Sequence, residues 1–145
     1  MFELVDSIPK NAEIKVVGVG GGGGNAVRHM MDSNIDGVHF ICANTDAQSL
    51  NDLGEATILQ LGGTLTKGLG AGGDPELGAR AAEEAELELR DALRGRQLVF
   101  LCVGLGGGTG SGAAPLIARI AREEGAFVVI FATIPFEFEG KRRRE

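Results

Sequence analysis

The chain of 145 residues is long enough for one domain with a sizeable core. Its formal net charge of −6 argues against a nucleic-acid partner, which would favour a basic surface. No apolar run approaches the roughly 18 residues of a membrane helix, and the short acidic start has no signal-peptide pattern. We therefore expect a cytoplasmic protein with no direct membrane insertion.

Glycine is the unusual feature of the composition. The 24 glycines are about twice the usual share, and they cluster at 18–24, 62–73 and 104–112. This clustering indicates defined turns rather than a low-complexity tail. Residues 1–12 look like an irregular lead-in, and we expect one domain over residues 13–145.

The β-branched run at 14–19 predicts the first strand, and a helix is predicted from Ala26. Between them, Gly18, Gly20 and Gly23 fit the G-x-G-x-x-G spacing of a dinucleotide-binding turn. The strand before this pattern and the helix after it are the context that the motif requires.

A second strand is predicted at 38–43 and a short third strand at 57–61. The second strand runs into the polar triplet Asn44-Thr45-Asp46, and Asp46 is expected to cap a short helix at 47–53. Two cysteines, Cys42 and Cys102, lie in apolar strand-like runs, which favours buried free thiols in a reducing compartment.

The glycine-rich stretch 62–74 is long for a connection inside a compact domain, so it is either functional or disordered. Asp74 as N-cap and Pro75 in the first turn then predict a helix that reaches about Arg94. Its acidic side chains are expected to form a solvated face.

The third glycine stretch, at 104–112, lies between a predicted strand at 98–103 and a predicted helix at 113–124 with Pro115 in its first turn. A glycine turn from a strand into a helix is a phosphate cradle, because backbone N–H groups and the helix dipole meet an anion there. A flexible linker is the less favoured alternative. A P-loop is excluded, since Ala113 stands where that motif requires lysine.

With a fifth strand at 126–133, strands and helices alternate throughout. This pattern predicts the α/β class, as a Rossmann-like parallel sheet with helices on both faces and strand order 3-2-1-4-5. The loops at 20–25, 70–74 and 106–112 would then converge at one edge of the sheet. Two cradles and a third glycine loop suit a nucleoside di- or triphosphate better than NAD.

Five blocks of the sequence resemble the tubulin/FtsZ family of GTPases, in particular its bacterial cell-division members, over about residues 14–143. The blocks are Gly-Val-Gly-Gly-Gly-Gly-Gly-Asn-Ala-Val at 18–27, Asn-Thr-Asp-Ala-Gln at 44–48, Thr-Lys-Gly-Leu-Gly-Ala-Gly at 66–72, Gly-Gly-Gly-Thr-Gly-Ser-Gly at 106–112 and Pro-Phe-Glu-Phe-Glu-Gly-Lys-Arg-Arg at 135–143.

The resemblance implies a site for GTP or GDP with Mg²⁺. It implies that one segment wraps the α- and β-phosphates, a second senses the γ-phosphate and a third holds the phosphates. In that order, these segments are Gly21, Gly22, Gly23, Gly24 and Asn25; Ala71, Gly72 and Gly73; and Gly107, Gly108, Thr109 and Gly110.

The resemblance also implies that Asn25 lies near the guanine, and that Thr133 and Glu139 approach the ribose. It implies that Arg143 contacts the nucleotide from the side, and that Asn44 and Asp46 lie near Mg²⁺ and its waters. The residues alone give no separate support for Glu139 and Arg143, which fit a solvated charged run at a chain end. Helix capping alone would explain Asp46 and Asp74.

Members of this family form filaments at the division site, and the implied partners are guanine nucleotide, other copies head-to-tail and division-site adaptor proteins. Family members continue past residue 145 with a central helix and a second domain, which we expect to be absent here. Hydrolysis would then need a neighbouring subunit's loop, with no catalytic residue within this chain. The alternatives are an NAD-binding Rossmann module and a non-enzymatic fragment that caps filaments.

Overall fold

The computed structural model describes residues 13–33, 37–51, 53–95, 97–104 and 107–133. The predicted lead-in at 1–12 lies outside these residues. None of the helices in the described ranges has the length and apolarity that crossing a bilayer would require.

Five parallel strands form a single sheet in the order β3-β2-β1-β4-β5. They are β1 (Glu13–Val19), β2 (Val38–Asn44), β3 (Thr57–Gln60), β4 (Gln97–Gly104) and β5 (Phe127–Thr133). The predicted α/β class and strand order are confirmed. At the centre of the sheet Gly18 pairs with Cys42 on one side and Cys102 on the other, and both thiols are buried and free, as predicted.

The helices of the described ranges are α1 (Gly20–Asp32), α2 (Gly63–Thr66), α3 (Pro75–Glu84), α4 (Glu86–Ala92) and α5 (Gly108–Glu123), with a 3₁₀ turn at Gln48–Leu50. Alternate residues of β1 face opposite sides of the sheet. Val16 packs with Val27 of α1, whereas Val17 packs in the cluster that holds Ala81 of α3 and Ile117 of α5. Helices therefore cover both faces, as predicted.

The predicted starts of two helices are wrong, since both begin inside a glycine cluster. Helix α1 begins at Gly20 rather than Ala26, and α5 begins at Gly108, which leaves Pro115 inside the helix instead of in its first turn. Glycine has low helix propensity, but a first turn without side chains can lie directly on neighbouring backbone. A Cβ on Gly110 would stand 2.6 Å from the Gly104 carbonyl oxygen, so packing here outweighs propensity.

The predicted helix from Pro75 to Arg94 is two helices with a break at Ala85. The Ala85 N–H donates to the carbonyl of Ala82, three residues back, and this interrupts the regular ladder. The Asp74 cap is confirmed, because its Oδ1 accepts the Glu76 N–H at 3.0 Å. The 62–74 connection contains the four-residue helix α2, and the predicted helix at 47–53 is the shorter 3₁₀ turn.

Candidate functional site

Two helix N-termini meet at the carboxyl edge of the sheet, where the strand order reverses. Strand β1 leads directly into α1, and the neighbouring strand β4 leads into α5 on the opposite face. Gly20 has a φ of +76°, and a Cβ there would stand 3.0 Å from the Gly110 nitrogen. The amino-terminal N–H groups of both helices, with their partial positive charge, therefore converge at the crevice typical of ligand sites in open α/β sheets.

The turn at 71–74 packs against the start of α5. Ala71 is buried, its carbonyl accepts the Asp74 N–H at 3.0 Å, and a Cβ on Gly108 would stand only 2.7 Å from the Asp74 nitrogen. Gly72 and Gly73 are exposed, have positive φ and have open space where a Cβ would point. The turn is thus anchored at both ends and leaves room for a ligand beside its two glycines.

Buried hydroxyl groups tie this edge together. Thr45 Oγ1 and Thr109 Oγ1 are 2.6 Å apart, although the residues are 64 positions apart in the chain. The Thr66 hydroxyl donates to the carbonyls of Gly62, at 3.2 Å, and Thr45, at 3.4 Å. Among the described residues, every buried side-chain nitrogen and oxygen has a hydrogen-bond partner.

The oxygens of Asn44 and Asp46 shape the turn after β2. Asn44 Oδ1 accepts the N–H groups of Thr45, at 2.8 Å, and Asp46, at 3.3 Å. Asp46 Oδ1 accepts the Gln48 N–H at 3.0 Å, and Oδ2 accepts the Ser49 hydroxyl at 3.1 Å. The N-cap position of the 3₁₀ turn is Ala47 and not Asp46 as predicted, although the Asp46 side chain accepts the first N–H of the turn from one residue earlier. No group of three or more acidic, histidine or cysteine side chains able to hold a metal occurs within the described ranges.

A cleft of about 340 Å³ lies between the first turns of α1 and the end of β2. Of the predicted site residues it is lined by Gly21, Gly24, Asn25, Asn44 and Asp46. It also exposes Arg28, which the sequence reasoning missed and which is the one cationic side chain among the described lining residues. Arg28 stands three residues after Asn25 and four after Gly24, so it lies on the same face of α1. This spacing could have predicted that Arg28 lines the site.

The Cys42 thiol also lines this cleft, and its burial raises its pKa to about 11, against a smaller opposing effect of the Arg28 charge. The thiol therefore stays neutral at pH 7 and places no negative charge beside the cleft.

The remaining predicted residues fall into separate groups. Gly22 and Gly23 face the sheet, and a Cβ on Gly22 would stand 3.1 Å from the Gly104 Cα. Thr133 ends β5 beside Gly104. Gly107 is the N-cap of α5, with Gly108, Thr109 and Gly110 in its first turn. Glu139 and Arg143 lie outside the described residues.

Residues 13–145 match the sequence model of the Tubulin/FtsZ family, GTPase domain. The chain belongs to the tubulin/FtsZ family. Among curated proteins of the tubulin/FtsZ family, the cell division protein FtsZ of Pseudomonas putida is 57% identical over 145 residues, which are 100% of this chain and 36% of that protein. The FtsZ of Coxiella burnetii is 56% identical over 100% of this chain and 38% of its own length. The chain thus spans little more than a third of these curated relatives.

Solved structures of the tubulin/FtsZ family share the fold. An empty FtsZ dimer from M. jannaschii aligns with a TM-score of 0.86 and 41% identity, over 98% of this chain and 41% of that one. CetZ2 from Haloferax volcanii, described as a GTPgS-bound protofilament, aligns with a TM-score of 0.78 and 30% identity, over 90% of this chain and 42% of that one.

Proposed function

We propose that this chain binds GTP or GDP, with the phosphates at the paired N-termini of α1 and α5. The observation that carries the proposal is the approach of Gly20 to Gly110: a Cβ on Gly20 would stand 3.0 Å from the backbone nitrogen of Gly110. No lysine is among the described residues that line the adjoining cleft. Backbone N–H groups, hydroxyls and the helix dipoles would therefore carry most of the interaction with phosphate.

Each segment has a separate role in this proposal. The start of α1 wraps the α- and β-phosphates, the turn with Gly72 and Gly73 senses the γ-phosphate, and the start of α5 holds the phosphates from the opposite face. Asn25 lies near the guanine, Thr133 and Glu139 approach the ribose, and Arg143 contacts the nucleotide from the side. The support for Asn25, Thr133, Glu139 and Arg143 is family resemblance. The packing of 71–74 on α5 and the approach of Gly20 to Gly110 support only the closeness of the three glycine segments.

We infer that any Mg²⁺ is held mainly by nucleotide phosphates and water. The donor set after β2 is oxygen-rich, as Mg²⁺ prefers, but Asp46 already accepts one hydrogen bond on each carboxylate oxygen. Lone pairs remain on both Asp46 oxygens for waters of the ion, so Asp46 fits a contact through water. Asn44 Oδ1 already accepts two N–H groups, so Asn44 fits a role in shaping the turn that presents Asp46. When bound, the ion would neutralise charge on the phosphates.

We further propose that the chain is the GTP-binding domain of a filament-forming cell-division GTPase. The CetZ2 structure, described as a GTPgS-bound protofilament, supports assembly into filaments with nucleotide bound, and the relatives named cell division protein FtsZ support action in cell division. Head-to-tail contact between copies, a cytoplasmic location and division-site adaptor proteins rest on the family resemblance alone. The face that carries 71–74 and the start of α5 would meet the next copy, which would supply the groups that orient the attacking water. Without a neighbouring copy, the chain should bind GTP but hydrolyse hardly any of it.

The first experiment is to identify the nucleotide that the purified chain carries. Heat-denatured protein is resolved by ion exchange against GDP, GTP, ADP, ATP and NAD, and stripped protein is then titrated with GDP by calorimetry. Release of GDP or GTP, or saturable binding of GDP, supports the proposal. Release of ATP or NAD, or no binding of GDP at millimolar concentration, overturns it.

A second experiment addresses hydrolysis. Phosphate release from GTP is followed for the chain alone and for an intact relative at equal concentration. We expect binding without appreciable turnover in the chain. Turnover equal to that of the intact relative would contradict the requirement for a neighbouring subunit.

A further inference from the structure

We infer that Thr45 is a positioning residue that orients the Thr109 hydroxyl toward a phosphate oxygen of the bound nucleotide. The inference rests on the proposed function, because it assigns a task within that site. Thr45 itself lies behind Thr109 and would not touch the nucleotide.

The contact is short, buried and between distant parts of the chain. The two Oγ1 atoms are 2.6 Å apart, and the exposed fractions are 0% for Thr45 and 6% for Thr109. Thr45 directly follows β2, whereas Thr109 is the second residue of α5, next to the Gly110 that approaches Gly20. The hydroxyl bond therefore joins the turn after β2 to the phosphate-binding end of α5.

The chemistry of the ligand sets the direction of this bond. A threonine hydroxyl has one proton to donate and two lone pairs, and a nucleotide phosphate at neutral pH is essentially an acceptor. Thr109 can donate to phosphate only if it accepts from Thr45, so Thr45 must be the donor when nucleotide is bound. The resulting chain, from Thr45 to Thr109 to phosphate, polarises the Thr109 hydroxyl and strengthens its bond to the anion.

Hydrogen bonds from the segment at 66–70, which leads into the 71–74 turn, hold the backbone around Thr45. Its carbonyl accepts the Thr66 hydroxyl at 3.4 Å, and the next turn is fixed by the Ala47 N–H, which donates to the Gly68 carbonyl at 3.1 Å. A Cβ on Gly70 would stand 4.0 Å from Thr45 Oγ1. The backbone around Thr45 is thus fixed by the connection that carries the proposed γ-phosphate sensor.

The test is a double-mutant cycle with GDP as the probe, measured by calorimetry. We expect Thr45→Val to weaken GDP binding about tenfold, equivalent to roughly 1.4 kcal/mol at 25 °C, and Thr45→Ser to restore most of the affinity. Because Thr45 acts through Thr109, adding Thr45→Val to Thr109→Val should weaken binding no further. If Thr45→Val does not fold, Thr45→Ala removes the same hydroxyl and takes its place in the cycle.

The matched control is Thr57→Val, which removes a threonine hydroxyl bonded to His39 at 2.8 Å on strand β3 and outside the site. It should leave GDP affinity unchanged. Unchanged affinity in Thr45→Val, failure of Thr45→Ser to recover, or additive losses in the cycle would each overturn the inference. Absence of GDP binding by the unmutated chain would instead overturn the proposed function.

Discussion

Neighbouring glycines of α1 should respond in opposite directions to the same substitution. A Cβ on Gly23 would collide with the Cys102 carbonyl and stand 3.0 Å from the Gly18 carbonyl carbon, in the middle of the sheet. A Cβ on Gly24 would meet no atom within 4 Å apart from its chain neighbours and the surrounding helix backbone. Alanine gains about 0.5–1 kcal/mol over glycine inside a helix, while overpacking against backbone costs about 1–3 kcal/mol.

The free energy of unfolding should therefore fall by about 1–2 kcal/mol in Gly23→Ala and rise by about 0.5–1 kcal/mol in Gly24→Ala. For a chain of this size the two melting temperatures should differ by roughly 5–10 °C, measured by circular dichroism. Gly24 lines the cleft, so its variant should also bind GDP more weakly despite its higher stability. A Gly23→Ala chain as stable as the unmutated one would refute the packing argument, and unchanged GDP affinity in Gly24→Ala would refute the placement of nucleotide beside it.

Three further predictions concern charge. Arg28→Glu should weaken GDP binding, measured by calorimetry, and the loss of affinity should be several-fold larger at low salt than at high salt. The control Arg94→Glu has the same change in net charge and should leave GDP affinity unchanged at both salt concentrations. Arg90 holds the pKa of Glu123 below its ordinary value of 4.5, so the stabilisation it confers is present above that pH. The loss of melting temperature in Arg90→Met should accordingly become smaller as the pH falls through the lowered pKa of Glu123, because one of the three carboxylates that pair with Arg90 is then neutral. Folding raises the pKa of the Cys42 thiol from 9.0 to about 11. Between these pH values the thiol loses its proton in the unfolded chain but keeps it in the folded one, so the melting temperature should fall as the pH rises. This fall should be smaller in Cys42→Ala, which has no thiol at this position.

The sheet was predictable because its strands are apolar, β-branched runs separated by helical patterns. A parallel α/β order with a central β1 follows from such alternation, and the structure has it. The Asp74 cap was also predictable, since this acid stands directly before Pro75 at the start of its helix. Asp46 was predicted as a cap on the same pattern, but the turn begins one residue later and its N-cap is Ala47.

The helix starts at Gly20 and Gly108 were not predictable from local pattern. Helix propensity disfavours glycine, so the sequence alone does not predict a helix start there. Glycine is required because these helix starts pack closely on other backbone, as Gly110 does on the Gly104 carbonyl, and this packing is seen only in the folded structure. The Thr45–Thr109 bond was hidden for the same reason, because 64 positions separate its partners. Arg28 lies beyond the glycine cluster at 18–24, so the spacing of the glycines gives no indication that it lines the cleft.

The direct passage from β1 into α1 fixes the length of the chain at this point. Strand β1 ends at Val19 and the helix begins at the next residue, Gly20. With 3.6 residues per turn, one inserted or deleted residue at this junction would rotate the whole helix by about 100°. Gly23 would then leave its place against Gly18, and Val27 would leave the core. A side chain at exposed Gly21 would not disturb the packing of the helix, although it would point into the space beside the cleft that Gly21 lines. An insertion or deletion at the junction would disturb that packing, so changes of chain length must be accommodated elsewhere.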